Sequence, residues 1–310
     1  MFESKITNVL CLWPLLSKNS PIMRYFALFC TLCCLNVLNA QASFNMDRPA
    51  GDTVSVFGDK INVRSQPSTD AAGVAQMAAG DLLKIVETST QTTTMNGFTA
   101  PWYKVQSLNG KTTGFVWGGL VSIMPPTVIG DTRFVSGVTK LVSVPNADKL
   151  PVYTFEMRAI RNGAITSRTS TTIEGQGMAY FQPLELGARG LKGYSALMQL
   201  TLSGEACGIP WYDWYVLWNG NQLSSLPVCE SIADADVFSH IESYVFPQGG
   251  DEFTPGHFGG EDQVYFSIAH QEKAEREDGS GWDENGWTRV RLMRWDGKQW
   301  IRPKNMGVPK

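Results

Sequence analysis

Residues Ile61–Pro67 read INVRSQP. Ile61 and Val63 alternate with Asn62 and Arg64, the two-residue period of a half-buried strand. Pro67 cannot donate a ladder hydrogen bond and restricts Gln66, so the strand is expected to end there. Before this stretch stand a short apolar run, Thr53–Phe57, and a turn at Gly58-Asp59. After it, Ser65–Ala71 is rich in turn residues and Gly73–Met77 is a second apolar run. Gly80-Asp81 punctuates the chain before a β-rich run at Leu82–Val86. Thr88–Ala100 is polar and Thr-rich and is expected to be a long loop between strands, a natural place for variable contacts. Asn109-Gly110, between YKVQSL and KTTGFVW, is expected to supply the positive φ angles of a tight hairpin turn. The outcome is a set of short strands without a helix, which suits a small barrel.

Three segments carry a family resemblance: INVRSQPS at 61–68, WYKV at 102–105 and GFVWGGL at 114–120. In order and spacing they resemble the bacterial SH3 domain of the cell-envelope type, whose members carry an "lNVRsgPs" start, a "WyKV" middle and a "GWV…yL" end. The resemblance covers about 70 of the 310 residues. It implies an SH3-like barrel within 43–124 that acts as a ligand module for a cell-wall peptide or another envelope protein. Adjacent Trp102 and Tyr103 should face opposite sides of their strand, so one of them is expected outside the barrel. That residue, with Phe98, Trp117, the loop at 88–100 and Arg64, forms the expected groove for an extended peptide with a carboxylate end. Aromatic surface would supply contact area, and Arg64 a bidentate clamp for the acid.

Residues 23–42 read MRYFALFCTLCCLNVLNAQA. Arg24 is a positive flank, Tyr25–Leu38 a mostly apolar core, and Ala40-Gln41-Ala42 a small-residue cleavage site before Ser43, the pattern of a secretory signal. Translation can start at Met1 or Met23, so 1–42 is read as a signal peptide with a possible upstream extension. No Leu-x-x-Cys box precedes Ser43, which argues against a lipid anchor, and no membrane-spanning segment is expected after cleavage. Cleavage leaves 23 basic and 28 acidic side chains, a net charge of −5 with no Lys/Arg block, so no nucleic-acid footprint is expected. The expected location is periplasmic or secreted. Of six cysteines only Cys207 and Cys229 remain after cleavage, an even pair expected to form one disulfide in an oxidising compartment.

Met124-Pro125-Pro126 is read as the end of the first domain. From Arg133 on, strand pattern follows strand pattern, with hairpin turns expected at Asn162-Gly163, Asn219-Gly220 and Asp296-Gly297. YVLWNGNQL and RLMRWDGKQW share a form: Trp directly before an Asn/Asp-Gly turn, then a polar residue, Gln and a large apolar residue. These turns weakly resemble those of β-propeller repeats of the FG-GAP type, although the acidic Ca²⁺ loop of such repeats is not visible. Two turns 77 residues apart, with the Asn162 turn 57 residues earlier, set no fixed period. Residues 125–310 are therefore read as an antiparallel β domain, either a sandwich or a partial propeller-like meander. The whole chain is all-β.

Few residues suggest catalysis. Cys207 sits among strand patterns, and His240, His257 and His270 are the only histidines. No His-Glu-x-x-His, Cys-x-x-Cys, Gly-x-Ser-x-Gly or phosphate-binding Gly loop occurs in the mature chain. No metal, cofactor or catalytic residue is assigned. Glu272–Asn285 is dense in acid and is read as a solvated loop joining two strands, although Asp278, Ser280 and Asp283 could touch a cation. Tyr212 and Trp214 should share one strand face, with Trp211 and Tyr215 on the other; either both faces are core or one pair is exposed. The expected function is an exported, non-catalytic binding protein of the envelope. The alternative is a cell-wall hydrolase with an unrecognised active site in 125–310.

Overall fold

The structure, a computed structural model, describes residues 48–142, 150–175, 180–203, 208–234, 237–248, 260–276, 280–296 and 298–306. The signal segment at 1–42, Cys207, His257 and Asp278 lie outside these residues. The described residues belong to one compact unit. It is built of strands, with a single described turn of 3₁₀ helix at Gly118–Leu120. No described helix is long and apolar enough to cross a membrane.

The first sheet holds β1 (Thr53–Ser55), β2 (Lys60–Arg64), β3 (Gly73–Ala78), β4 (Leu82–Met95), β5 (Phe98–Ser107) and β6 (Thr113–Trp117). Their order is β1-β4-β5-β6-β2-β3. The sheet curls around a core of Val54, Val56, Ile61, Val63, Leu83, Ile85, Tyr103, Val105, Val116 and Val121. Ile61 and Val63 are buried while Asn62 is exposed, as the alternation requires. The expected loop at Thr88–Ala100 is instead a long hairpin, with β4 running to Met95 and β5 starting at Phe98. Asn96 (φ 53°) and Gly97 (φ 85°) turn it, and the threonines, being β-branched, extend the strand rather than break it. At Asn109-Gly110 only Gly110 has positive φ, at 72°. The Asn109 side chain instead accepts from Lys111 N–H at 3.0 Å, an Asx turn in a longer loop.

A second sheet contains β7 (Thr127–Ile129), β8 (Thr132–Val142), β9 (Val152–Arg161) and β10 (Ala164–Glu174), in the order β10-β9-β8-β7. Its Asn162-Gly163 turn has φ of 51° and 74°, the tight hairpin expected. The third sheet is a continuous antiparallel meander: β11 (Tyr180–Glu185), β12 (Ala196–Ser203), β13 (Trp211–Trp218), β15 (Cys229–Asp234), β16 (Phe238–Val245), β17 (Tyr265–Glu275) and β18 (Trp282–Leu292). The short β14 (Leu223–Ser225) pairs with the end of β13, and β19 (Arg294–Trp295) with β20 (Trp300–Ile301) forms a last small hairpin. The described strands do not form separate propeller blades. The acidic run expected as a loop is mostly strand: β17 and β18 pair Lys273 with Glu284, whose side chains meet at 3.1 Å. Asp283, Glu284, Arg289 and Arg291 on the exposed edge strand β18 suit a strand that must not pair further.

The middle of the third sheet, at β13, is buried on both faces. Tyr212 and Trp214 join the second sheet in one core, with Phe134, Phe155, Met157, Met198 and Leu200. Tyr215 and Leu217 point into the opposite core, with Tyr244, Phe246, Phe266, Met293 and Trp300. Arg302 closes that side by a two-point pair to the buried Glu242 carboxylate, at 3.0 and 2.7 Å.

Met124 is not a free linker end. It is buried, and its neighbour Ile123 donates its N–H to Ser136 O at 2.8 Å. Barrel residues Phe98, Ala100, Trp102 and Trp117 belong to the same core as the second and third sheets. A second contact is polar. The buried Arg158 guanidinium of β9 lies 4.1 Å over the Phe57 ring and donates to the Phe57 carbonyl. It also pairs with Asp59 at 2.8 Å and Glu156 at 2.5 Å. A third lies at the β4–β5 hairpin tip, where Leu141 N–H bonds Asn96 O at 2.9 Å. A Cβ on Gly97 would lie 1.9 Å from the Leu141 carbonyl oxygen, so only glycine permits this approach.

Candidate functional site

Strand β2 and the turn before it frame a cleft of about 270 Å³ on the barrel surface. Asp59, Lys60 and Asn62 come from the β2 entry, Arg64 from its end and Thr69 from the loop beyond. Met95 arrives on the β4–β5 hairpin, while Trp102 and Trp117 close the inner wall. The expected grouping of Arg64, an outward aromatic and the 88–100 segment is therefore assembled, with Met95 as that segment's contribution. Phe98 and Tyr103 are elsewhere: Tyr103 fills the barrel core, and Phe98 packs behind Trp117 with ring centroids 4.9 Å apart.

Alternation works as expected at Trp102-Tyr103, one residue in the barrel and one outside it. The expectation that the outside residue is exposed needs correction. Trp102 is 2% exposed and Trp117 3%, because the second and third sheets cover the outer barrel face. Trp102 and Trp117 are direct cross-strand partners. Both indoles are tied to Thr93: Trp102 Nε1 donates to its hydroxyl at 2.7 Å and Trp117 Nε1 to its carbonyl at 2.8 Å. The Gly118-Gly119 pair makes room for this, since a Cβ on Gly119 would meet the Trp117 ring at 2.2 Å. The two rings thus show little surface to the cleft, while the polar side chains of Asp59, Lys60 and Asn62 beside them reach solvent.

Each charged group of the cleft has a distinct constraint. Arg64 Nη1 donates to Ala71 O at 2.7 Å, which holds the 65–71 loop and leaves part of the guanidinium at the surface. Asp59 accepts from Arg158 at 2.8 Å and from Arg168 at 2.9 Å, both on the second sheet. Lys60 and Asn62 are exposed. Asp59, Lys60, Asn62, Thr69, Met95 and Leu120 were not singled out from the sequence. The signal available for Lys60 and Asn62 was their place on the solvent-facing side of the strand that runs through INVR.

The other candidate chemistry is scattered. His240 and His270 face each other across β16 and β17 with ring centroids 5.9 Å apart, and His270 stacks on Trp287 at 5.4 Å. Each imidazole has a carboxylate 3.9 Å away, Glu242 and Glu272 respectively. Among the described residues no three His, Cys, Asp or Glu side chains gather as a metal site would require. Cys229 carries a free thiol, fully buried on β15, and burial raises it well above its ordinary value. Its partner across the sheet is Asp213. Cys207 is outside the described residues, and the expected bridge to it lies outside them too.

No curated protein and no solved structure matches this chain. Residues 59–122, which hold the cleft and the three motif segments, match the family described as the bacterial SH3 domain.

Proposed function

We propose that this chain is an exported, non-catalytic binding protein of the cell envelope, and that the barrel cleft takes a cell-wall peptide or an extended segment of an envelope protein. The observation that carries this reading is the cleft itself, set within the bacterial SH3 domain at 59–122. Bacterial SH3 domains are associated with wall binding. Wall peptides are short and extended and carry free carboxylates and amines. Lys60 and Arg64 suit the former, and Asp59 the latter. Met95 and the little indole surface shown there offer apolar contact between them.

The test uses the chain from Ser43 to Lys310, sedimented with purified peptidoglycan and titrated with soluble wall peptides. Lys60→Glu reverses an exposed charge in the cleft and should weaken binding about tenfold, or ~1.4 kcal/mol, with unfolding unchanged. If neither peptidoglycan nor an envelope extract retains the wild-type chain, the ligand-module reading is wrong. Release of soluble wall fragments during the incubation would instead favour a hydrolase. Export is tested by N-terminal sequencing of native protein, which should begin at or near Ser43.

A further inference from the structure

The two Trp-Asn/Asp-Gly hairpins, far apart in sequence, are built alike. Asn219 N–H bonds Gln222 O at 3.3 Å, and Asp296 N–H bonds Gln299 O at 3.1 Å. Asn219 Oδ1 accepts from the amides of Asn221 and Gln222 at 3.0 and 2.7 Å. Asp296 Oδ1 does the same for Lys298 and Gln299, both at 2.8 Å. Each side chain thus caps its own turn, which explains Asn or Asp at that position.

The fold brings these two turns to one cleft of about 310 Å³. Asn219, Gln222 and Ser224 line it from the first hairpin, Trp295 and Lys298 from the second, and Tyr194 from the β11–β12 connection. The equivalent tryptophans behave differently. Trp218 is 2% exposed and packs edge-on against Phe134 at 5.3 Å. Trp295 packs on Trp300 with ring centroids 5.7 Å apart yet stays 44% exposed, so packing accounts for only part of its surface. Ser224, at the cleft, has a buried hydroxyl oxygen with no hydrogen-bond partner.

We propose that this cleft is a saccharide-binding site. A pyranose ring has an apolar C–H face and a rim of hydroxyls. Trp295 offers an indole surface for the face. The Asn219 side-chain nitrogen can donate toward the rim, its oxygen being taken by the turn, while the Gln222 carboxamide and the Tyr194 hydroxyl can both donate and accept. Among the described residues lining the cleft Lys298 alone is ionic, which disfavours a polyanion or a charged peptide. The volume sits at the small end of the roughly 300–1,000 Å³ usual for small-molecule sites, the scale of a short oligosaccharide. This site lies on the third sheet and the last hairpin, so it stands whether or not the barrel cleft binds wall peptide.

The chain from Ser43 to Lys310 would be titrated by calorimetry with N-acetylglucosamine oligomers and, separately, with glucose oligomers. Saturable binding to either series is expected, and the preferred series separates an amino-sugar wall glycan from a neutral polysaccharide. Trp295→Ala should weaken binding at least tenfold without altering thermal unfolding. Gln222→Ala, on the opposite hairpin, should weaken it at least threefold and guards against a local collapse around Trp295. Lys60→Glu in the barrel cleft should leave saccharide binding unchanged. Absence of saturable binding to both series would overturn the proposal, as would binding that survives both Trp295→Ala and Gln222→Ala.

Discussion

Trp102→Ala separates two roles for the outward aromatic of the barrel. A ligand-facing indole would lose binding and leave stability intact. In the structure Trp102 is 2% exposed and shares a core with Phe134, Tyr153, Phe155 and Trp214. Its Nε1 also satisfies the Thr93 hydroxyl at 2.7 Å. Truncating a buried tryptophan to alanine costs about 3–5 kcal/mol, the lost transfer free energy plus the cavity left behind. In a body of this size each kcal/mol lowers the melting temperature by roughly 2–4 °C, so a fall of about 6–20 °C is expected. Trp102→Phe keeps most of the ring but loses the indole N–H and some volume, and should cost about 1–2 kcal/mol. The assay is urea unfolding of the chain from Ser43, followed by fluorescence and far-ultraviolet circular dichroism. A Trp102→Ala protein within ~0.5 kcal/mol of wild type would refute the burial argument and return Trp102 to the ligand surface.

Residues 43–124 expressed alone would expose Phe98, Ala100, Trp102, Trp117, Ile123 and Met124, which the intact chain buries. That fragment should bind a hydrophobic dye and self-associate; a monodisperse, dye-silent barrel would contradict the shared core. Arg158→Ala should cost about 2–4 kcal/mol in denaturant unfolding, because it strips Glu156 and Asp59 of a buried cation, although the exposed Asp59 moderates the loss. Unchanged stability would show that the clamp is dispensable. Burial raises the Asp213 carboxyl above its ordinary value of 3.8, against hydrogen bonds from Thr201 and Gln199. The folded chain then keeps this proton where the unfolded chain has released it, so its stability contribution is full below the unfolded value and declines as pH rises through the folded one. Asp213→Asn should flatten that decline in stability measured from pH 4 upward, and an unaltered profile would remove Asp213 as its source.

The barrel was legible in the sequence because its signals are local. Two-residue alternation at Ile61–Arg64, the proline that stops it and the motifs at 102–105 and 114–120 each act within a few residues. The Asn162-Gly163 hairpin was legible for the same reason, since Asn-Gly favours positive φ at both positions, although at Asn109-Gly110 the longer loop left only the glycine there. The strand through 88–95 was missed because its threonines are polar and read as solvent-exposed loop. Their β-branching, and the Asn96-Gly97 turn beyond, carried the opposite signal. Alternation also placed Trp102 and Tyr103 on opposite sides of β5. It could not say what would cover Trp102. That was decided by strands β8, β9, β12 and β13, which lie 30 or more residues further along the chain and bring their apolar faces over the outer wall of the barrel. The likeness of the WNG and WDG turns was visible in the sequence, yet their meeting at one cleft was not. Turn type and strand period depend on neighbours in the chain. Burial depends on which distant surfaces lower the free energy by leaving water together, and only the tertiary structure selects them.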